Sequence, residues 1–250
     1  GLEAMDKILL NITNNQIGAY HKLTISSLTD SYMCLEGSYT GCYELTGNLR
    51  EYCARSAFGG RVHVNTAYVK KLVNDSPIAD IDGVSLYPSA IHRLCNESGL
   101  PTGEAKRMTD YHTDYKWCIM TVQITKVNKK QQMPIIAHRG KDSIDYLNEA
   151  PAEPVIIDKT TLEDYIKLHQ IEYTILDGVY WDGEANKTFG TVIYNLFQER
   201  LKYKKTNKAL SNIIKLMLNS AYGKCLIKPS NCKKSIIKAK TYKKIDIIHE

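Results

Sequence analysis

The sequence lacks any apolar run that could span a membrane, since a transmembrane helix needs about 18 consecutive apolar residues and the 250 residues contain no such stretch. It also lacks C-x-x-C pairs. The seven cysteines are scattered and odd in number, which argues against a zinc site and a disulfide framework. The first ten residues carry acids and no basic segment, so no secretory signal is evident. We therefore expect an intracellular protein with reduced thiols.

Arginine is scarce, because only seven of the 33 basic residues are Arg and the others are Lys. Basic residues exceed acidic ones by six. Lysine is a mobile point charge, which suits contact with phosphates regardless of base sequence. A net charge of this size is common, so it favours a nucleic-acid partner only where the lysines cluster. The length and the 43% hydrophobic content are enough for one large or two small domains.

The stretch from residue 78 to residue 89 has the most informative pattern. Ile78, Asp80 and Asp82 alternate with small or apolar residues, which predicts a strand that ends near Gly83. Pro88 indicates that a helix begins just afterwards, because its fixed φ suits the first turn and its missing N–H is not needed there.

A carboxylate that precedes a tight turn and a helix start is suited to binding a charged ligand. Asp82 can hold a hard cation, and the free N–H groups of the turn through Ser85 and Leu86 can hold phosphate oxygens. Tyr87 then lies beside whatever carries those phosphates. The stretch therefore predicts a metal and phosphate site.

Two later stretches predict amphipathic helices, because their apolar residues fall at i, i+3, i+4, i+7 and i+8. The apolar residues are Phe189, Val192, Ile193, Leu196 and Phe197 in the first helix and Leu210, Ile213, Ile214, Met217 and Leu218 in the second. The polar residues 203–208 predict the turn between them.

The second helix has a polar face opposite its apolar one. With Leu210 at zero, Lys208, Lys215, Asn219 and Tyr222 lie at about 160°, 140°, 180° and 120° around the axis. A polar helix face is usually only solvated, and Lys208 alone fits that interpretation. Asn219 and Tyr222, one and two turns after Lys215, favour a binding face. Arg200 and Lys204 extend its positive charge.

Two motifs together resemble the family B DNA polymerases. Residues 82–89 read D-x-x-S-L-Y-P-S and resemble motif A of that family, and residues 215–223 read K-x-x-x-N-S-x-Y-G and resemble motif B. They occur in the family's order, 133 positions apart (215 − 82). The resemblance implies an α/β (α+β) fold, with a palm built on an antiparallel sheet, an inserted subdomain and two-helix fingers.

The resemblance also implies an activity, nucleotidyl transfer from a dNTP to a primer hydroxyl with two Mg²⁺ ions, or Mn²⁺ as an alternative. Asp82 would bridge the ions, and the Gly83 carbonyl would complete one of them. Lys215 would neutralise the triphosphate, and Tyr87 would lie under the sugar, where a 2′-hydroxyl would clash. Together Asp82, Lys215 and Tyr87 are the catalytic candidates.

The resemblance assigns further residues to nucleotide and DNA. The nucleotide-binding candidates are Ser85, Leu86, Tyr87, Lys208, Lys215, Asn219 and Tyr222. The DNA-binding candidates are Gly59, Gly60, Arg61, Ser220 and Gly223. Gly59 and Gly60 correspond to the family's Y-x-G-G template contact, with Ala57 in place of the Tyr. The alternative is a simple turn before a strand at residues 61–64.

The resemblance divides the chain into five segments. They are residues 1–55, the tail of an exonuclease domain and a connector; 56–94, palm with the glycine turn and motif A; 95–185, palm and an insertion; 186–224, the fingers with motif B; and 225–250, a basic segment that returns toward the palm. Within the insertion we predict strands at residues 117–127 and 171–181, the latter turning at Asp177-Gly178, and a helix opened by a capping box at residues 160–163.

The insertion is typical of protein-primed members, which adds a terminal protein to the expected partners, DNA template and primer and dNTPs; no membrane partner is expected. Motif C, Y-x-D-T-D-S, is absent from residues 224–250. We therefore expect a palm and fingers portion of a longer viral or plasmid replicase, inactive alone, in a host cytoplasm or an organelle. The alternative is a decayed polymerase that only binds nucleic acid.

Overall fold

The computed structural model describes residues 2–13, 15–18, 20, 24–62, 79–110, 112–140 and 143–226. The helices are α1 (Leu2–Ile12), α2 (Ile25–Leu35), α3 (Gly47–Ala54), α4 (Leu86–Glu97), α5 (Lys159–His169), α6 (Thr188–Thr206) and α7 (Lys208–Leu226). The strands are β1 (Leu100–Pro101), β2 (Lys106–Arg107), β3 (Trp117–Val127), β4 (Ile136–Arg139), β5 (Ile144–Leu147), β6 (Val155–Asp158), β7 (Ile171–Trp181) and β8 (Ala185–Asn186). This mixture of helices and antiparallel strands confirms the expected fold class.

The main sheet is antiparallel, with the strand order β2-β7-β3-β6. The predicted strands at residues 117–127 and 171–181 are both confirmed, and they pair along their whole length, from Trp117 opposite Trp181 to Val127 opposite Ile171. Alternate residues of β3 are buried against α5, as the two-residue period of a strand requires. This forms a core between the sheet and α5, which we call the sheet core.

The prediction of a turn at Asp177-Gly178 is wrong, because both residues lie inside β7 and pair with β3. A Cβ atom on Gly178 would lie 3.0 Å from the Ile119 carbonyl oxygen and 3.1 Å from the Met108 sulfur. The Met108 N–H also donates to the Gly178 carbonyl, at 2.8 Å. The glycine therefore allows close packing of a neighbouring segment, and it does not reverse the chain.

Helix α5 begins slightly earlier than predicted. Its N-cap is Asp158, whose carboxylate accepts the Thr161 N–H at 2.9 Å. The helix itself is confirmed through His169, while the capping residue precedes the predicted Thr160 by two positions. Asp158 ends β6 as well, so one residue closes a strand and opens a helix.

The two predicted amphipathic helices are confirmed as the hairpin α6–α7. The connection is the single residue Asn207, shorter than the predicted turn at residues 203–208, because α6 continues to Thr206. Asn207 begins the second helix, since its side-chain oxygen accepts the Leu210 N–H at 3.1 Å.

A second core, which we call the helical core, joins the α6–α7 hairpin to α1, α2 and α4. Its buried members include Leu9, Leu28, Met33, Cys95, Ile193, Leu196, Ile214 and Met217. At its base Asn186 donates to the carbonyls of Ser38 and Thr40, at 3.2 and 2.9 Å, and accepts the Thr188 N–H at 2.8 Å. The start of α6 is thereby tied to the turn that follows α2.

Two predicted strands are wrong where the structure describes them. Residues 79–83 have no regular structure and Ile81 is 91% exposed, while Ile78 lies outside the described residues. Arg61 and Val62 are also irregular, and residues 63–64 lie outside the description. A strand needs a neighbour for its backbone groups, and no described strand pairs with either segment. Of the basic segment 225–250, only residues 225 and 226 are described.

No helix in the described part of the chain is both long and apolar enough to cross a membrane.

Candidate nucleotide and DNA site

Helix α4 starts from a strained residue. Its N-cap, Ser85, has left-handed backbone angles (φ 48°, ψ 50°), a conformation that costs a non-glycine residue about 1–3 kcal/mol. Pro88 is the third helical residue, so its missing N–H is one of those that a helix start leaves without partners. The predicted helix is confirmed, and the N–H groups of its first turn, at Leu86 and Tyr87, have no helical partner of their own.

The Ser85 side chain does not cap its own helix, because it contacts α6 instead. Arg200 of α6 donates from Nη1 to the Ser85 Oγ at 3.1 Å. The contact brings a guanidinium to the start of α4, where the helix dipole already favours an anion. The sequence placed Arg200 only on an extended positive surface, since no local pattern links residues 115 positions apart.

The predicted residues Tyr87 and Tyr222 lie against each other. Their rings stack with centroids 4.7 Å apart and an interplanar angle of 27°. Tyr87 is on the first turn of α4 and remains 52% exposed, and Tyr222 is near the end of α7 and is partly buried. The stack joins motif A to motif B and leaves part of the aromatic surface in contact with solvent.

The polar face predicted for α7 is confirmed. Lys208, Lys215 and Asn219 are exposed, while Ile214 and Met217 are buried in the helical core. Ser220, Tyr222 and Gly223 are partly buried near the end of the helix. The described contacts join Arg200, Ser85, Tyr87 and Tyr222, but none of them brings Lys208 or Lys215 into the same cluster.

Asp82 and Gly83 precede α4 in an exposed, irregular segment. The Asp82 carboxylate and the Gly83 carbonyl are hard oxygen ligands of the kind that Mg²⁺ prefers. Among the described residues there is no group of three or more His, Cys, Asp or Glu side chains that could hold a metal ion. Asp82 and Gly83 therefore fit one side of a cation site and do not complete it.

The predicted DNA contacts Gly59, Gly60 and Arg61 lie on an irregular segment after α3. Both glycines are exposed. Arg61 donates from Nη1 to the Pro134 carbonyl, and its guanidinium lies 4.6 Å from the centroid of the Tyr146 ring. The segment is therefore held against the region that contains β4 and β5.

A match to a known protein family identifies the group to which this chain belongs. The family described as DNA polymerase type B, organellar and viral, matches residues 2–249. The chain belongs to this family. The resemblance to family B is thereby confirmed.

Relatives and solved structures agree with the family B assignment. The DNA polymerases of Bacillus phages Nf and M2 are 27% identical over 177 residues, which are 68% of this chain and 30% of each phage protein. Phi29 DNA polymerase has a TM-score of 0.62 at 19% identity, over 88% of this chain and 39% of that one. Its ternary complex with primer-template DNA and incoming nucleotide substrates gives 0.58 at 18% identity, over 86% and 38% of the two chains. The likeness extends to the fold, and the chain spans about a third of its relatives' length.

Proposed function

We propose that this family B chain supplies the palm and fingers of a template-directed DNA polymerase, which transfers a nucleotidyl group from a dNTP to a primer hydroxyl. The observation that carries the proposal is the junction of motif A and motif B, where Tyr87 stacks on Tyr222 beside the contact of Arg200 with Ser85. The start of α4 thus has two stacked tyrosine rings and the guanidinium of Arg200 beside it. These are the groups that recognise a sugar, a base and a phosphate chain.

The triphosphate would lie at the start of α4. Its oxygens would accept the free N–H groups of Leu86 and Tyr87, where the helix dipole favours negative charge. Arg200 would exchange the Ser85 hydroxyl for phosphate oxygens, because a phosphate is an anion and can accept two parallel N–H bonds from one guanidinium. Lys215 and Lys208, which are exposed on α7, would supply further positive charge.

The sugar and base would contact the tyrosine pair. Tyr87 would lie under the deoxyribose and exclude a 2′-hydroxyl, and Tyr222 with Asn219 would line the nascent base pair. The exposed ring surface of Tyr87 supports this assignment, because stacking needs an open aromatic face. Ser220 and Gly223, further along α7, would contact primer and template.

A divalent cation would be held in part by Asp82 and Gly83, with Mg²⁺ as the expected ion and Mn²⁺ as the alternative. When bound, two such ions neutralise the triphosphate and activate the attacking hydroxyl. The exposed carboxylate of Asp82 precedes α4 by four positions (86 − 82), so it would face the same phosphates. The remaining ligands would come from nucleotide, water or acids outside the described residues.

Protein priming is part of the proposal, with a terminal protein that contacts the insertion of residues 95–185. The main sheet and β4–β5 lie within these residues, which supports an inserted subdomain. The boundaries at residues 55, 94, 185 and 224 are proposed with it, as are the exonuclease origin of residues 1–55 and the template contact of Gly59 and Gly60.

The test is Mg²⁺-dependent binding of a fluorescent dATP analogue to the purified 250-residue chain. We expect Asp82→Ala to remove the Mg²⁺ dependence and Lys215→Ala to weaken binding about tenfold or more, as for a lost charged hydrogen bond. The matched controls Asp164→Ala and Lys167→Ala remove the same charges from exposed positions on α5 and should bind as the unchanged chain does. If binding depended neither on Mg²⁺ nor on Asp82 and Lys215, the alternative of a decayed polymerase that only binds nucleic acid would be favoured.

A further inference from the structure

The turn that follows α2 holds the base of the α6–α7 hairpin. Its Ser38 and Thr40 carbonyls accept hydrogen bonds from Asn186, which lies just before α6. Between them in the chain, Tyr39 places its ring against that of Phe189 in the first turn of α6, with the centroids 5.8 Å apart. Tyr39 is therefore fixed against α6 by its own ring and by the backbone on either side of it.

The hydroxyl of Tyr39 extends to the other helix of the hairpin. Its oxygen lies 3.9 Å from the sulfur of Cys225, near the end of α7, and the Cys225 thiol donates to the Ala221 carbonyl at 3.3 Å. Because the thiol proton is directed at Ala221, the Tyr39 hydroxyl is the donor and the sulfur is its acceptor. Sulfur makes weak hydrogen bonds, but two bonds that point the same way polarise each other. They join the turn after α2 to the backbone of α7.

The carbonyl at the end of this chain of contacts belongs to the peptide bond between Ala221 and Tyr222. The ring that stacks on Tyr87 is therefore attached to a peptide group that accepts the thiol proton. A second contact restrains the same part of α7, since the Lys224 ammonium lies 3.9 Å from the carboxylate of Asp30 on α2. This pair is partly exposed and stabilises little by itself. The position of Tyr222 thus depends on α2 and the turn after it as well as on α7.

We propose that Tyr39 is a positioning residue that sets how strongly the site prefers a deoxyribose to a ribose. This inference rests on the proposed function, in which the Tyr87 ring lies under the sugar and excludes a 2′-hydroxyl. Tyr87 is 52% exposed, so its stack on Tyr222 is a main restraint on the orientation of its ring. Without the Tyr39 hydroxyl, the end of α7 gains freedom, the Tyr87 ring can tilt, and a ribose is excluded less strictly.

The first experiment measures sugar preference as the ratio of the dissociation constants of fluorescent ATP and dATP analogues for the 250-residue chain with Mg²⁺. We expect Tyr39→Phe, which keeps the ring against Phe189, to lower this ratio about threefold, the effect of one lost weak hydrogen bond. Cys225→Ala should lower it equally. Cys225→Ser should retain it, since a hydroxyl can also donate to Ala221 and accept from Tyr39. Tyr39→Phe combined with Cys225→Ala should lose no more than either substitution alone, because both break the same chain of contacts.

The second experiment needs no nucleotide, because it measures how accessible the Tyr87 ring is in the free chain. The rate of nitration of Tyr87 by tetranitromethane is followed by peptide mass spectrometry, relative to that of Tyr20, which is 65% exposed. We expect Tyr39→Phe and Cys225→Ala to raise the rate about twofold or more, the lower end of what one lost hydrogen bond allows. The matched control Tyr43→Phe removes a hydroxyl from an exposed ring and should change neither the nitration rate nor the sugar preference.

A sugar preference unchanged in Tyr39→Phe would overturn the proposal, and with a lowered unfolding midpoint it would show that Tyr39 serves stability alone. An unchanged nitration rate of Tyr87 would overturn the chain of contacts. Additive losses in the double variant would overturn the route through Cys225. The proposed polymerase function fails separately, if the unchanged chain binds the dATP analogue without regard to Mg²⁺ or Asp82, and the nitration rates would still decide whether Tyr39 positions the tyrosine pair.

Discussion

Tyr165 illustrates how a single hydroxyl stabilises the sheet core. The side chain is fully buried, and its oxygen accepts the N–H of Ala137 on β4 at 2.9 Å. Burial raises the pKa of Tyr165 to about 12 from its usual value of 10. The hydroxyl therefore stays protonated in the folded chain at pH values where the unfolded chain has lost its proton.

We predict that Tyr165→Phe destabilises the sheet core by about 1–3 kcal/mol, because it leaves the buried Ala137 N–H without an acceptor. In the unchanged protein, the stability due to this group is present below pH 10 and lost as the pH rises toward 12, since the folded pKa is the higher one. The phenylalanine variant should lack that part of the alkaline loss. Urea unfolding at pH 8 and pH 11 measures both effects, and Tyr43→Phe, at an exposed ring, is the control.

At the scale of elements, the packing of α4 on α6 depends on one glycine. Gly190 faces Cys95 so closely that a Cβ atom would lie 2.4 Å from the Cys95 Cβ. Beside it, His92 stacks on Tyr194 at 4.7 Å, and its Nδ1 lies 3.2 Å from the Gly190 carbonyl oxygen. Helix α4 begins within motif A, so this contact fixes the distance between motif A and α6.

We predict that Gly190→Ala pushes α4 away from α6 and costs about 1–3 kcal/mol, the usual range for an overpacked contact. The shift should also weaken nucleotide binding, because it would move Arg200 away from the start of α4, where the same phosphates are proposed to bind. Urea unfolding and titration with the dATP analogue measure the two effects. Gly59→Ala, in open space, is the matched control, and an equally stable Gly190→Ala variant would contradict the packing argument.

The long periodic elements of this fold could be predicted from the sequence, while the contacts between distant segments could not. Strands β3 and β7 and helices α6 and α7 carry their period over nine or more residues, so local pattern and tertiary packing agree. The turn predicted at Asp177-Gly178 is wrong because an Asp-Gly pair occurs both in hairpin turns and inside strands where a neighbouring segment packs closely on the glycine. At the site, the motifs identified Tyr87 and Tyr222, but the Arg200 contact with Ser85 depends on how α6 meets α4.

At the scale of the whole molecule, the described residues form two separate hydrophobic cores. The helical core contains α1, α2, α4, α6 and α7, and the sheet core contains β3, β6, β7 and α5. Both tryptophans of the chain, Trp117 and Trp181, lie in the main sheet. Tryptophan fluorescence therefore reports the sheet, and circular dichroism at 222 nm reports mainly the helices.

We predict that the two substitutions described above act on different signals. Gly190→Ala should lower the unfolding midpoint seen by circular dichroism and leave the fluorescence midpoint nearly unchanged, and Tyr165→Phe should do the reverse. The reason is that substitutions in separate clusters are usually independent. If both probes moved together in both variants, the chain would unfold as one cooperative unit.

The one-residue connection at Asn207 gives the α6–α7 hairpin a mechanical property. Helices α6 and α7 have 19 residues each, so the hairpin is about 28 Å long, and it is anchored at the Asn186 end. The hairpin packs on α2 and α4 in the helical core. A tilt of about 10° about the Asn186 end, in which these helices move with the hairpin, would move Lys208 by about 5 Å and Arg200 by about 3 Å. Small adjustments near Asn186 would thus set the reach of the cations furthest from it.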